Sequence, residues 1–474
     1  MTERQHFDEM FGHGDTARET YAGYHQWFSG EDTKRLITKA HAAEVLFRRT
    51  GITFTVYGDG STNERLIPFD IVPRIIGAIE WARLEKGVVQ RVRALNAFLH
   101  DLYNRQEILR AGRVPSALIE RNDAFVPQMI GVTPPGGVYT HIVGIDLVRT
   151  SEDEFFVLED NARTPSGVSY MLENRETMLH LFPELFSRQR VRRVNDYSRQ
   201  LRRSLAACAP QSANDTPTVA VLTPGVHNSA FFEHSFLADE MGVELVEGHD
   251  LEVRDGHLMM RTTSGYEQID VLYRRVDDEF LDPLNFNPDS LLGTPGVMDV
   301  HRAGNLTIAN APGTGIADDK AIYSYVPTMI DFYLGETPIL NNVETWRCSD
   351  PDSLSYVQQN LADLVVKEVH GSGGYGMLVG PAASRRELAD FATKLASNPS
   401  NYIAQPTLSL STVPILTDAG LAPRHVDLRP FALVAPDEVM VTPGGLTRVA
   451  LTEGSLVVNS SQGGGTKDTW VLED

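Results

Sequence analysis

Cysteine is almost absent from this chain. Its 474 residues contain only Cys208 and Cys348, in Ala-Cys-Ala and Arg-Cys-Ser settings with no CxxC spacing. Two thiols make no disulfide framework and read as free thiols of a reducing compartment. No apolar run approaches the roughly 20 residues a bilayer span needs. The N-terminus Met-Thr-Glu-Arg-Gln-His-Phe-Asp lacks the basic-then-apolar pattern of a leader. Both observations place the expected location in the cytoplasm, away from membranes. Positive charge is scarce as well: 42 Lys+Arg against 63 Asp+Glu leaves a formal charge of −21, which repels a phosphate backbone and argues against a nucleic-acid partner. No G-x-S-x-G elbow, HExxH spacing or activated-cysteine signature is present, so a covalent hydrolase finds little support.

What is there is a chain long enough for two to four domains at roughly 100–200 residues each, and ordinary in its 42% hydrophobic and 22% charged residues. The pattern predicts an α/β (α+β) protein. Residues 1–130 read as mainly helical, with apolar positions three or four apart from Val72 to Ile108 and a strand at Gly51–Gly58. Residues 131–210 open with two strands, Tyr139–Val148 and Glu154–Glu159, joined as a hairpin, and continue in helices. Residues 211–305 begin after a polar, Pro-containing stretch and carry a βαβ unit over 218–246. Residues 306–474 alternate strands and helices around glycine clusters.

Three constellations carry chemistry. In a hairpin centred on Glu152 and Asp153, Asp146 faces Glu159, and Asn161, two residues further on, shares the face. Facing carboxylates repel unless a cation lies between them, and hard oxygen donors of this kind suit Mg2+, with Mn2+ an alternative. Ordinary surface residues of an exposed hairpin would give the same spacing. The second is Leu364-Val-Val-Lys-Glu-Val-His-Gly-Ser-Gly-Gly-Tyr-Gly376, a strand lysine followed by four glycines in six residues. It is either a phosphate cradle or a glycine-rich turn. The third, Asn310 to Lys320, delivers a second lysine after a glycine turn, with Asp319 a candidate helix N-cap. Only seven lysines occur, which singles out Lys320, Lys367 and Lys467. Arg429, Arg448 and Lys467 add basic groups near the C-terminal end, with no role assigned to the last two. Tyr273-Arg-Arg-Val-Asp-Asp278 reads as a salt-bridge network or as contacts to a zwitterionic substrate through Arg274, Arg275, Asp277 and Asp278.

Together these residues resemble the ATP-grasp superfamily. Because Asp146, Glu159 and Asn161 precede Lys320 and Lys367, the order resembles its circularly permuted family, whose members are described as glutathionylspermidine synthase-like. The resemblance implies an ATP-grasp core with a small α/β pre-ATP-grasp domain. Mg2+ would bind at Asp146, Glu159 and Asn161. ATP would contact Lys320, Lys367, the loop Gly371, Ser372, Gly373, Gly374, Tyr375 and Gly376, and the hinge residue Gln405. Arg163 would contact the γ-phosphate or the acyl phosphate, and Arg429 is a second candidate catalytic residue. The implied activity is an ATP-dependent carboxylate–amine ligase working through an acyl phosphate, with a small-molecule acid and amine as partners. Two rivals remain open: a catalytically inactive nucleotide-binding scaffold or sensor, and a metal hydrolase using the hairpin alone.

Overall fold

The computed structural model describes residues 6–58, 61–371, 376–458 and 463–473, with side chains described outside 53–65. The loop residues Ser372, Gly373, Gly374 and Tyr375 lie outside the described residues.

A ten-stranded sheet forms the floor of the molecule. Its main path runs Asn341–Asn342, Phe155–Asn161, Ile142–Arg149, Gly420–Arg429, Leu446–Val449, Gly465–Val471 and Phe69–Ile76. The strand Phe69–Ile76 is a departure from the expected helix starting at Val72. Ile71, Val72, Ile75 and Ile76 are all buried, and a run buried on both faces has no period to separate strand from helix. The helix proper spans Ala78–Tyr103. Its stripe Trp81, Leu84, Val88, Val92, Leu95 and Leu102 is buried in the largest core cluster. Gly87 lets it approach residues 339–340, since a Cβ there would lie 2.4 Å from Leu340 Cγ.

A second, four-stranded antiparallel sheet orders Trp346–Arg347, Tyr402–Pro406, Leu364–Glu368 and Leu378–Val379. It packs its own core cluster, including Val366, Leu378, Phe391, Leu395 and Tyr402, with the helices Pro351–Gln359 and Arg385–Ser397. The expected βαβ unit is present: Val219–Leu222 and Glu244–Val246 pair in parallel around the helix Phe231–Met241, beside Val271–Arg274 and Thr307–Ala309. Among the described residues no helix is long and apolar enough to cross a membrane.

Candidate active site

The expected hairpin forms from Ile142–Arg149 and Phe155–Asn161, and Asp146 pairs with Glu159. Nearer the turn the register is one residue out, Leu147 opposing Val157, and a bulge restores it. Asn161 Nδ2 donates to Asp146 Oδ1 at 3.3 Å, so the three oxygen-bearing side chains do share a face.

The cation beside Asp146 is a pair of guanidiniums. Arg429 Nε and Nη2 donate to its two oxygens at 2.5 and 2.8 Å, and Arg448 Nη2 donates to Oδ2 at 2.6 Å. Arg448 also donates from Nε to both oxygens of Asp427 at 3.0 Å, its cross-strand neighbour. Burial pushes the Asp146 carboxyl up, but Arg429 and Arg448 override it and hold it well below the usual carboxylate range. The inference that facing carboxylates require a metal missed these arginines, which come from strands 283 and 302 residues away. Arg448 and Asp427 are the functional candidates to which the sequence assigned no role. Their signal is faint: Asp427 and Arg429 alternate onto one face of a strand.

Glu159 remains half-buried, with Lys320 Nζ at 3.5 Å and Arg429 Nη2 at 3.8 Å. Lys320 starts a short helix whose N-cap is Asp319, accepting from the backbone N–H of Ala321 and Ile322 at 2.6 and 3.1 Å, as expected. Its ammonium donates to the Gly371 carbonyl at 2.6 Å. Lys367 rises from Leu364–Glu368 and donates to Gln405 Oε1 at 2.9 Å. Burial lowers its pKa to about 8, with Glu159 pulling it back and Lys320 pushing it further down. Gln405 also donates to Thr345 Oγ1 at 3.1 Å. Gly376 has φ +67°, and a Cβ there would meet the Glu368 carboxyl at 2.6 Å.

These groups line one cavity of about 490 Å³. Its apolar lining includes Leu158, Val343 and Leu408, which pack in one cluster, together with Val365 and Met377. Its charged lining includes Asp146, Glu159, Lys320, Lys367, Arg429 and Arg448. A second cavity of about 790 Å³ shares Glu159, Asn161, Arg163, Asp318, Lys320 and Gly371 with it and extends to Asp277 and Asp278. Arg163 stands between them, 3.5 Å from Asp277 and 3.7 Å from Asp318.

Arg274 and Arg275 line neither of these two cavities. Both are buried. Arg274 donates to the carbonyls of Asn310 and Val276 at 2.8 and 2.7 Å. Arg275 holds the turn after Arg163 through Pro165 O and Ser166 Oγ at 2.8 and 2.6 Å. Arg274 also pairs with Asp278 at 2.6 Å and Arg275 with Glu233 at 3.2 Å, the ion pairs of the salt-bridge reading, while Asp277 and Asp278 do reach the second cavity. Lys467 is buried against Asp70 and lines neither cavity, nor do Cys208 and Cys348, whose thiols burial pushes up to about 12.

The donor chemistry fits Mg2+ in part. Glu159 and Asn161 offer oxygens at the cavity wall, whereas both oxygens of Asp146 are taken by guanidinium. Among the described residues no group of three or more His, Cys, Asp or Glu is arranged around a metal position.

A cavity with apolar lining and two lysines, set between a large mixed sheet and a small antiparallel one, fits the ATP-grasp class. The family model for circularly permuted ATP-grasp type 2 matches residues 73–450, and the chain belongs to that family. An uncharacterized protein of Synechocystis sp. is 53% identical over 98% of this chain and 97% of its own length. One from Mycobacterium tuberculosis is 53% identical over 98% of this chain and 84% of its own. A Frankia alni protein named "Putative glutamate–cysteine ligase 2-3" is 42% identical over 98% of this chain, which spans only 54% of that protein. A glutathione synthetase-like effector from Globodera pallida shares the fold, with TM-score 0.60 and 12% identity over 93% of this chain and 98% of that one.

Proposed function

We propose that the protein is an ATP- and Mg2+-dependent ligase that joins a carboxylic acid to an amine. The carrying observation is the convergence of Lys320, Lys367 and Glu159 on one cavity that continues into an apolar slot. The two ammonium groups neutralise phosphate oxygens, and the slot formed by Leu158, Val343, Met377 and Leu408 takes the base. Gln405 is occupied by Lys367 and Thr345, so its role is to orient the lysine. Arg163 and Arg429 face the transferred phosphoryl group, where positioning and charge neutralisation supply most of the rate. Bound Mg2+ would neutralise phosphate charge through Glu159 and Asn161. Asp146 joins as a third ligand only by releasing a guanidinium. A carboxylate oxygen of the acid would bond to the γ-phosphorus of ATP as the bond to ADP breaks, giving an acyl phosphate, and the amine nitrogen would bond to the acyl carbon as phosphate leaves. A covalent enzyme nucleophile is not required, in keeping with the raised thiols of Cys208 and Cys348.

The glutamate–cysteine ligase name belongs to relatives about twice this length, and it supports a ligase kind here without naming the acid. Calorimetric titration with ADP, with and without Mg2+, tests the reading. Metal-dependent binding supports it. Undetectable binding up to millimolar ligand, an affinity weaker than about −4 kcal/mol, overturns it in favour of a degenerate fold that no longer holds nucleotide or of metal-only chemistry at the hairpin.

A further inference from the structure

The two cavities meet at one wall but differ in character. The walls of the second cavity that the first does not share include Asp123, Asp277, Asp278 and Glu279, and His370 as the one group there able to carry positive charge. Asp278 is engaged by Arg274 at 2.6 Å and by the Gly313 N–H at 3.0 Å. Asp123, Asp277 and Glu279 line the cavity and are exposed, Asp277 with Arg163 at 3.5 Å. Phe125, Pro127 and Phe286 give the same cavity an apolar surface that suits the methylenes of an alkyl chain. Arg163 and Lys320 stand at the shared wall deeper in, so it is the unshared walls that repel an anionic acid and draw in a cation.

Asp318 stands in the shared wall. Its carboxylate accepts from the backbone N–H of Ala162 and, at 3.1 Å, of Arg163, and its second oxygen lies 3.7 Å from Arg163 Nε. That places a carboxylate where a molecule in the second cavity would meet a phosphoryl group held in the first.

We propose that the second cavity receives the amine co-substrate as a cation and that Asp318 takes the proton the amine must lose before it attacks. The inference rests on the ligase reading. The ammonium gives one proton to Asp318, the free amine nitrogen bonds to the acyl carbon, and the carbon–oxygen bond to phosphate breaks. The second proton, shed as the amide forms, leaves on the departing phosphate. Burial raises the Asp318 carboxyl to about 6, with Arg163 and Lys320 pulling it down, so it is ionised at neutral pH yet more basic than an exposed aspartate.

The test uses the whole protein saturated with Mg2+ and ADP, titrated calorimetrically with 1,4-diaminobutane and, for comparison, with glutarate. The diamine is expected to bind at least tenfold tighter than glutarate. The double substitution Asp123→Asn, Glu279→Gln is expected to weaken the diamine at least tenfold at unchanged ADP affinity. At pH 6, titrations in buffers of different ionisation enthalpy are expected to show proton release on diamine binding in the wild type and none in Asp318→Asn. ADP binding without diamine binding, or diamine binding indifferent to the double substitution, overturns the amine site and leaves the ligase reading standing. Proton release that persists in Asp318→Asn overturns the assignment of the proton. Failure of ADP to bind overturns the nucleotide reading, and diamine binding that still responds to the substitutions then survives it as a cation site.

Discussion

Asp146, Asp427, Arg429 and Arg448 form a buried lattice of two anions and two cations. Removing one partner of such a lattice strands a charge in a poorly solvated place, which costs about 3–5 kcal/mol. Arg448→Ala leaves Asp427 without its guanidinium, and urea unfolding is expected to show a loss in that range. Lys320→Ala contrasts with it. The ammonium holds one carbonyl at 2.6 Å and one carboxylate at 3.5 Å, so stability is expected to fall by about 1 kcal/mol. ADP affinity is expected to fall at least tenfold. An equal stability loss in both variants, with ADP affinity intact in Lys320→Ala, would show that Lys320 is structural. Lys367 makes a pH prediction. Its pKa of about 8 means that the ammonium is complete below that value and lost above it, so ADP affinity is expected to decline as pH rises through 8. The unfolded chain keeps this proton to about pH 10.4, so between the two values the unfolded state binds more protons and Lys367 makes folding more favourable as pH rises. Lys367→Arg, charged throughout, is expected to flatten the affinity profile. The lysines were legible because so few exist to choose from. The arginine lattice was not, because Arg429 and Arg448 meet Asp146 from 283 and 302 residues away, and no local spacing encodes that register.

At the scale of elements, the hairpin and the central helix show what period and punctuation convey. The facing of Asp146 and Glu159 was readable from strand alternation, although the bulge between them and the turn was not, since an extra residue changes no composition. The strand Phe69–Ile76 was hidden by burial on both faces, a pattern that alternation cannot flag. Where the chain carries a cap, the signal is local and legible: Ser384 accepts from Glu387 N–H at 3.3 Å and Glu387 accepts from Ser384 N–H at 2.8 Å, a capping box for the helix Arg385–Ser397. Ser384→Ala is expected to cost about 1 kcal/mol, measured by chemical denaturation, with little effect on ADP affinity because the helix packs behind the small sheet. Gly87 behaves differently. Gly87→Val puts branched carbons where even a Cβ lies 2.4 Å from Leu340, and the overpacked contact is expected to cost about 1–3 kcal/mol or more, beyond any gain in helix propensity from removing a glycine. A variant as stable as the wild type would mean that the segment around Leu340 moves aside freely.

For the whole molecule, the decisive feature is that the small sheet keeps its own core. Val366, Leu378, Leu395 and Ala404 cluster apart from the main hydrophobic body, while a much smaller cluster of Ala321, Val369 and Ile403 links the start of the Lys320 helix to that sheet. Sheets with separate cores open and close by sub-global motions at lower free energy than global unfolding. On the proposed reading, a nucleotide held by Lys367 of the small sheet and, through Mg2+, by Glu159 of the large one would make contacts that only the closed arrangement satisfies. It therefore stabilises that arrangement by mass action, by about 2.7 kcal/mol at a concentration one hundred times its dissociation constant. Hydrogen exchange measured with and without Mg2+ and ADP is expected to show added protection in two separated places at once, the strand Leu364–Glu368 and the hairpin Ile142–Asn161. Protection confined to the small sheet would mean that the nucleotide docks on one side only and that Glu159 does not reach it. Protection in both, lost together in Glu159→Gln, would show that the carboxylate couples the two sheets through the ligand, since the ion pairs of Glu159 among the described residues are with Lys320 and Arg429, neither of them on the small sheet.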